Sequence, residues 1–141
     1  LHSCKLGAEG ARVLAAGLAA NPWLLRSLSV SEDDIGPEGG TALSEALETS
    51  WLSSLSLEAV GLGDGGAQAF AALLQRGGAS HLSSLALRAN GIGAVGMAAL
   101  GDALEHHRAL TALDVQANEC GDAAVSALSE AVAAGVRRAA A

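Results

Sequence analysis

Aromatic side chains and cations are scarce in this chain of 141 residues. It has two Trp, one Phe and no Tyr, whereas 32 residues are alanine. A core built around a few large rings is therefore excluded, and many small side chains must stack in a regular way. Lys and Arg number eight against fifteen Asp and Glu, which gives a net charge of −7. The only adjacent cations are Arg137 and Arg138, so a basic surface for nucleic-acid phosphates is not predicted.

Cysteines and long apolar runs are also few. Cys4 and Cys120 are the only cysteines, too few for a disulfide framework or a zinc site. Because nothing argues for an oxidising environment, we expect a cytoplasmic or other reducing intracellular location. No apolar run approaches the roughly 20 residues of a membrane span, and the first residues lack the layout of a signal peptide. We therefore expect no membrane insertion, and no cofactor.

A repeated pattern dominates what is present. Four segments read L-x-x-L-x-[LV], and each is followed by an apolar residue and a glycine. A fifth such pair lies near the start, so that the glycines of the pairs are Gly7, Gly36, Gly63, Gly93 and Gly121. Subtraction of their numbers gives a period of 27 to 30 residues. Self-similarity at such a period is the sequence signature of a repeat architecture.

Two periodicities within each repeat predict its shape. In the range 54–58 leucines alternate with Ser and Glu, which is the pattern of a short strand with one buried face. After the glycine, Ala42, Leu43, Ala46 and Leu47 form the stripe of one helix face. One strand and one helix cannot bury their apolar faces alone, but stacked neighbours can. We therefore predict parallel strands on the inside of a curve and helices outside.

The pattern L-x-x-L-x-L-x-x-N-x-I-G followed by a helix resembles the ribonuclease-inhibitor class of leucine-rich repeats. The resemblance implies a right-handed α/β solenoid with a parallel sheet on the concave side and helices on the convex side. It divides the chain into a partial repeat at 1–24 and repeats at 25–51, 52–81, 82–109 and 110–141. We expect these to be part of a longer array, with the terminal repeats covered by further repeats or by partner subunits.

One column of the repeat is expected to hold asparagines. Asn90 and Asn118 occupy it, and the resemblance implies that their side chains hydrogen-bond backbone groups of adjacent turns. Cys4 fills the same column in the partial repeat. Asp33 and Val60 depart from it, and because Val60 cannot make the bond, looser packing is expected there.

Several motifs have simpler structural explanations than catalysis or ligand binding. Residues 61–66 match G-x-G-x-x-G, a dinucleotide-binding pattern, but residues 91–96 match it too. Because it recurs with the repeat, we assign it to the turn between strand and helix. The acidic cluster at 32–38 lacks the spacing of a calcium loop and precedes a helix, whose positive end it favours. His106 and His107 have no evident third ligand, so no metal site is predicted.

Solenoids of this class hold other proteins, and we predict a non-catalytic protein-interaction or scaffolding module within a larger assembly. The alternatives are a regulator of a small GTPase and a ligand-sensing array, because the repeat also resembles those of Ran GTPase-activating proteins and innate immune receptors. The predicted contacts on the concave face are His2, Ser27, Ser29, Ser31, Ser54, Ser56, Glu58, Ser84, Arg88, Asp114 and Gln116. Those predicted on the rims are Trp23, Trp51, Glu32 and Asp34. The Trp side chains are expected to pack over the ends of the core.

Overall fold

Helices and strands alternate along the chain in a computed structural model, which describes residues 2–119, 121 and 128. The four strands form one parallel sheet in the order β1-β2-β3-β4. The elements are α1 (Gly7–Ala20), β1 (Ser27–Ser31), α2 (Gly36–Leu47), β2 (Ser54–Glu58), α3 (Gly63–Gln75), β3 (Ser84–Ala86), α4 (Ala94–Leu104) and β4 (Ala112–Asp114). None of the helices in this part of the chain is long and apolar enough to cross a bilayer. The architecture is the predicted solenoid of strand–helix units.

The sheet register places the same repeat position of each strand side by side. Leu28 lies opposite Leu55, Leu55 opposite Leu85, and Leu85 opposite Leu113. Within β1 and β2 the leucines and valine are buried, and the serines between them are exposed or half-buried. The period-2 alternation therefore gives a sheet with one buried face and one solvent-exposed face, as the sequence predicts.

The helices pack in chain order, α1 against α2, α2 against α3 and α3 against α4. In α2 the predicted stripe is turned inward: Leu43, Ala46 and Leu47 are buried. Small residues let neighbouring helices approach closely. A Cβ added at Gly96 in α4 would lie 2.7 Å from Ile92 Cγ2 and 2.9 Å from the Cβ of Ala67 in α3. Such a contact leaves no room for a side chain at this position.

The asparagine column is a ladder of hydrogen bonds between repeats. The Asn90 side chain accepts a bond from the backbone N–H of Val60 (3.0 Å) and donates bonds to the carbonyls of Leu57 (2.7 Å) and Arg88 (3.1 Å). Asn118 accepts bonds from the backbone of Asn90 (2.8 Å) and donates to Leu87 O (2.8 Å). These bonds confirm the role expected of the two asparagines.

Val60 does not show the expected loosening. Its side chain is fully buried, its N–H is bonded to Asn90, and its carbonyl accepts a bond from Gly36 N at 3.1 Å. The apolar side chain fills the core while the next repeat satisfies the backbone. At the start of the column, the Cys4 thiol donates to His2 O at 3.3 Å, the same two-residue reach that Asn90 makes to Arg88.

The turn glycines confirm the structural explanation of the glycine motifs, with one departure. Gly36 and Gly63 have φ angles of +66° and +59°, in the left-handed region that glycine adopts at low cost. Gly93 is extended instead. Its N–H and that of Gly96 donate to Asp64 Oδ1 at 2.9 and 2.8 Å. A carboxylate of one repeat therefore caps the helix of the next.

Asp33 is the imperfect member of the asparagine column. Its side chain is buried, and Oδ1 accepts a bond from Leu6 N at 3.2 Å. Oδ2 is buried with no hydrogen-bond partner among the described residues. In Asn90 and Asn118 the corresponding amide nitrogen donates to backbone carbonyls. A carboxylate oxygen cannot donate, and an unsatisfied buried polar atom is costly.

We therefore expect Asp33→Asn to raise the free energy of unfolding by about 1 kcal/mol, since it supplies the missing donor. Denaturant titration measures the change. Asp34→Asn is the matched control, because Asp34 is exposed, and its effect should stay within about 0.5 kcal/mol. An Asp33→Asn variant no more stable than the wild type would contradict this assignment.

Candidate functional site

The residues predicted on the concave face lie on the solvent-exposed face of the sheet, as the sequence predicts. The serine columns of β1, β2 and β3 are exposed or half-buried, and they pair in register, as in Ser27 with Ser54 and Ser54 with Ser84. Among the described residues this face carries no aromatic side chain. It is hydrophilic, and serine hydroxyl groups make up most of it.

The charged end of the concave face is a network centred on Arg88. Its guanidinium lies 3.6 Å from Glu58 Oε1 and 3.9 Å from Asp114 Oδ2, and it donates to Gln116 Oε1 at 3.0 Å. These four predicted contact residues come from three successive repeats. Their charges are thus partly neutralised within the chain before any partner arrives.

His2 lies at the other end of the concave face. It pairs with Ser31 as a parallel bridge, and its Nδ1 lies 2.8 Å from the Ser31 hydroxyl. Its Nε2 is 3.6 Å from Glu32 Oε2. His2 therefore extends the sheet by one residue and connects the concave face with the loop that follows β1.

That loop forms an acidic rim, which we define as Glu32, Asp33 and Asp34. Glu32 and Asp34 are exposed, as predicted for rim contacts, whereas Asp33 is buried. The part of the chain that the structure describes holds no group of three or more His, Cys, Asp or Glu arranged to bind a metal ion.

The tryptophans lie on the opposite rim, in the loops that precede the strands. Trp23 is 64% exposed and Trp51 45% exposed, so the expectation that they pack over the ends of the core is wrong. The leucines that directly follow Trp51 and His81 in the sequence, Leu52 and Leu82, are buried instead. We call Trp23, Leu24, Leu25, Arg26, Trp51 and His81 the tryptophan rim.

Trp51 contacts one side chain of its own repeat, Arg26, and one of the following repeat, His81. The His81 ring stacks on it with ring centroids 4.8 Å apart and planes 22° apart. The Arg26 guanidinium carbon lies 5.3 Å from the Trp51 ring centroid, a cation–π distance. The backbone N–H of Trp51 also donates to Pro22 O at 2.8 Å, which holds the Trp23 loop against this stack.

Leu24 and Leu25 make the tryptophan rim more apolar than the sequence predicts. Leu24 is 71% exposed and Leu25 36% exposed. Both line a groove of about 390 Å³ together with Val13, Leu14, Gly17, Leu18 and Asn21. One signal was available: Leu24, Trp51 and His81 all directly precede the first leucine of a repeat, so they form one column. The exposure of Leu25 had no such signal, since the aligned Leu52 and Leu82 are buried.

The histidines of these loops have separate roles. His107 is buried, its Nε2 lies 3.2 Å from Gly78 O, and its Nδ1 is 3.2 Å from Leu110 N. The two partners require a tautomer in which Nε2 donates and Nδ1 accepts. His107 thus ties one loop to the next, while His106 and His81 are exposed.

Comparison with known proteins supports the repeat assignment. Residues 78–101 match the family model described as Leucine Rich repeat. No curated protein matches the sequence at a significant level. Among solved structures, the chain is similar to one titled Leiomodin-1 Actin-Binding Site 2, with 24% identity and a TM-score of 0.67, covering 88% of this chain and 69% of that one. The matched residues correspond to one leucine-rich repeat, and the shared fold agrees with a solenoid of such strand–helix units.

Proposed function

We propose that this chain is a non-catalytic protein-interaction module and that the tryptophan rim is its main binding surface. The observation that carries the proposal is the exposure of Trp23, Leu24, Leu25 and Trp51 side by side. Contiguous exposed apolar side chains are uncommon on soluble proteins and mark interaction sites. Trp and Arg, both present here, are the residues most enriched in binding hot spots.

The concave face is a less favourable binding surface than the tryptophan rim. Its serines are small, and its one arginine, Arg88, is already engaged with Glu58, Asp114 and Gln116. A partner that bound there would gain little from burying apolar area. The concave residues serve better as a polar flank of a contact centred on the rim.

We further propose that the repeats are of the ribonuclease-inhibitor-like subclass and that the module acts as a scaffold within a larger assembly. The Asn90 and Asn118 ladder and the helices α1 to α4 support the subclass. Nothing in the described residues favours the GTPase-regulator or immune-receptor alternatives.

The proposal predicts that partners are lost when the tryptophan rim is made polar. In quantitative affinity capture from cell extract, the double variant Trp23→Ser, Trp51→Ser should lose most of the proteins that the wild type retains. Hot-spot truncations cost about 2 kcal/mol or more each, which is over an order of magnitude in affinity.

Val95→Ser is the matched control, because Val95 is an exposed apolar residue in α4, away from this rim. Retention of the same proteins by the double variant, or an equal loss with Val95→Ser, would contradict a binding role of the rim. Far-UV circular dichroism of both variants checks that the repeats remain folded.

Actin is a defined protein with which to begin, because the similar solved structure is titled an actin-binding site. The likeness is one of fold, and it transfers no contact residue to this chain. Co-sedimentation with filamentous actin, compared between the wild type and the double rim variant, decides whether actin is a partner through this surface.

A further inference from the structure

The tryptophan rim combines an apolar groove with a cation that is not neutralised within the described chain. The groove is lined by leucines, a valine and Gly17, with Asn21 as the one polar lining residue. A Cβ added at Gly17 would meet no heavy atom within 4 Å. A bulky apolar side chain of a partner can therefore enter this space without displacing anything.

Arg26 differs from three other arginines of the described chain in its charged neighbours. Arg12, Arg76 and Arg88 each lie within 4.0 Å of a carboxylate. Among the described residues Arg26 has no carboxylate at such a distance. It contacts the Trp51 ring and donates a long bond, 3.4 Å, to Trp51 O. Most of its N–H donors thus remain available beside the groove.

The distribution of charge directs an acidic partner to this rim. The opposite rim holds Glu32 and Asp34, both exposed, and the whole chain carries a net charge of −7. A carboxylate approaching the acidic rim is repelled, whereas Arg26 attracts it. Charge complementarity of this kind sets orientation and suppresses wrong contacts.

We propose, on the basis of the function proposed above, that the tryptophan rim binds a segment of a partner protein that carries bulky apolar side chains flanked by Asp or Glu. An apolar side chain occupies the groove beside Leu24 and Leu25. A second packs on the exposed Trp23 ring. A neighbouring carboxylate pairs with Arg26, whose guanidinium is already fixed on the Trp51 ring, so that little side-chain freedom is lost on binding.

The test uses a displayed library of random peptides selected on the whole chain, with counter-selection on the double variant Trp23→Ser, Trp51→Ser. We expect enriched peptides to combine Leu, Ile, Phe or Trp with Asp or Glu. Synthetic copies are then titrated against the protein. Trp23 and Trp51 are its only tryptophans, so intrinsic fluorescence reports directly on the rim.

Arg26→Glu should raise the Kd of an enriched acidic peptide about tenfold, because it replaces one attractive charge contact with a repulsive one. The matched control Arg108→Glu, an exposed arginine in the loop before β4, should leave the Kd within about twofold. A peptide in which Lys replaces each Asp and Glu should bind the wild type more weakly than the acidic peptide does. The same Lys peptide should bind the Arg26→Glu variant more tightly than the acidic peptide does.

Enriched peptides that are basic, or whose affinity is unchanged by Arg26→Glu, would overturn the assigned partner chemistry. The rim would still be a binding surface if the tryptophan substitutions abolished that binding. If selection yields no peptide that distinguishes the wild type from the double variant, docking of a peptide segment is wrong. Self-association of the chain through the rim, seen by analytical ultracentrifugation and lost with Trp23→Ser, would identify a second copy as the occupant and overturn the proposal.

Discussion

Leu85→Ala is expected to lower the free energy of unfolding by about 2–5 kcal/mol, the usual cost of a large-to-small change in a core. Leu85 is 1% exposed and lies in β3 between Leu55 and Leu113 of the neighbouring strands. Removing its side chain leaves a void that both flanking repeats line. Urea titration followed by circular dichroism measures the loss.

Ser84→Ala is the matched control, because Ser84 precedes Leu85 in the same strand but is only half-buried on the opposite face. Its effect should stay within about 0.5 kcal/mol. Equal effects of the two substitutions would show that the two faces of the sheet have been assigned the wrong way round.

Asn90→Ala should be about as damaging, with a loss of about 2–4 kcal/mol. The Asn90 side chain is buried and satisfies the N–H of Val60 and the carbonyls of Leu57 and Arg88. Alanine removes all three bonds. Arg88 O still accepts a bond from Ala59 N at 3.0 Å, but the buried N–H of Val60 loses its bond to Asn90, and each buried group that is left without a partner costs about 1–3 kcal/mol.

The control is Asn21→Ala. Asn21 is exposed and follows the last residue of α1, so its substitution should change stability by no more than about 0.5 kcal/mol. Amide hydrogen exchange adds a local readout: in Asn90→Ala, protection of the Val60 amide should fall before that of amides in α2. Unchanged protection at Val60 would refute the ladder as a source of stability.

The fold could be predicted from the sequence because each of its determinants is local and repeated. The alternation in 54–58 and the stripe of Leu43 and Leu47 each follow from one period, and the spacing of the glycines specifies how often the unit recurs. Register follows as well, since only one alignment of the strands places Leu28, Leu55 and Leu85 together on the buried face.

The candidate site could be predicted only in part, because it depends on which side chains the stack leaves uncovered. The sequence identifies Trp23 and Trp51 as rim residues, but it predicts that they pack over the ends of the core, whereas both are exposed. Exposure of Leu25 is a tertiary property, since its aligned neighbours Leu52 and Leu82 are buried. The sequence pattern shows that Asp33 places a polar residue in the asparagine column. It does not show that Asp33 Oδ2 lacks a hydrogen-bond partner.

The stack of Arg26, Trp51 and His81 has a mechanical consequence. Arg26 and Trp51 belong to the repeat at 25–51 and His81 to the repeat at 52–81, and in a solenoid of this kind a repeat can open largely independently of distant repeats. A ligand bound on the stack contacts both repeats, so that opening either of them requires its release. Ligand binding would therefore enlarge the unit that opens cooperatively. Repeats that exchange their amide hydrogens independently in the free chain would exchange them together in the complex.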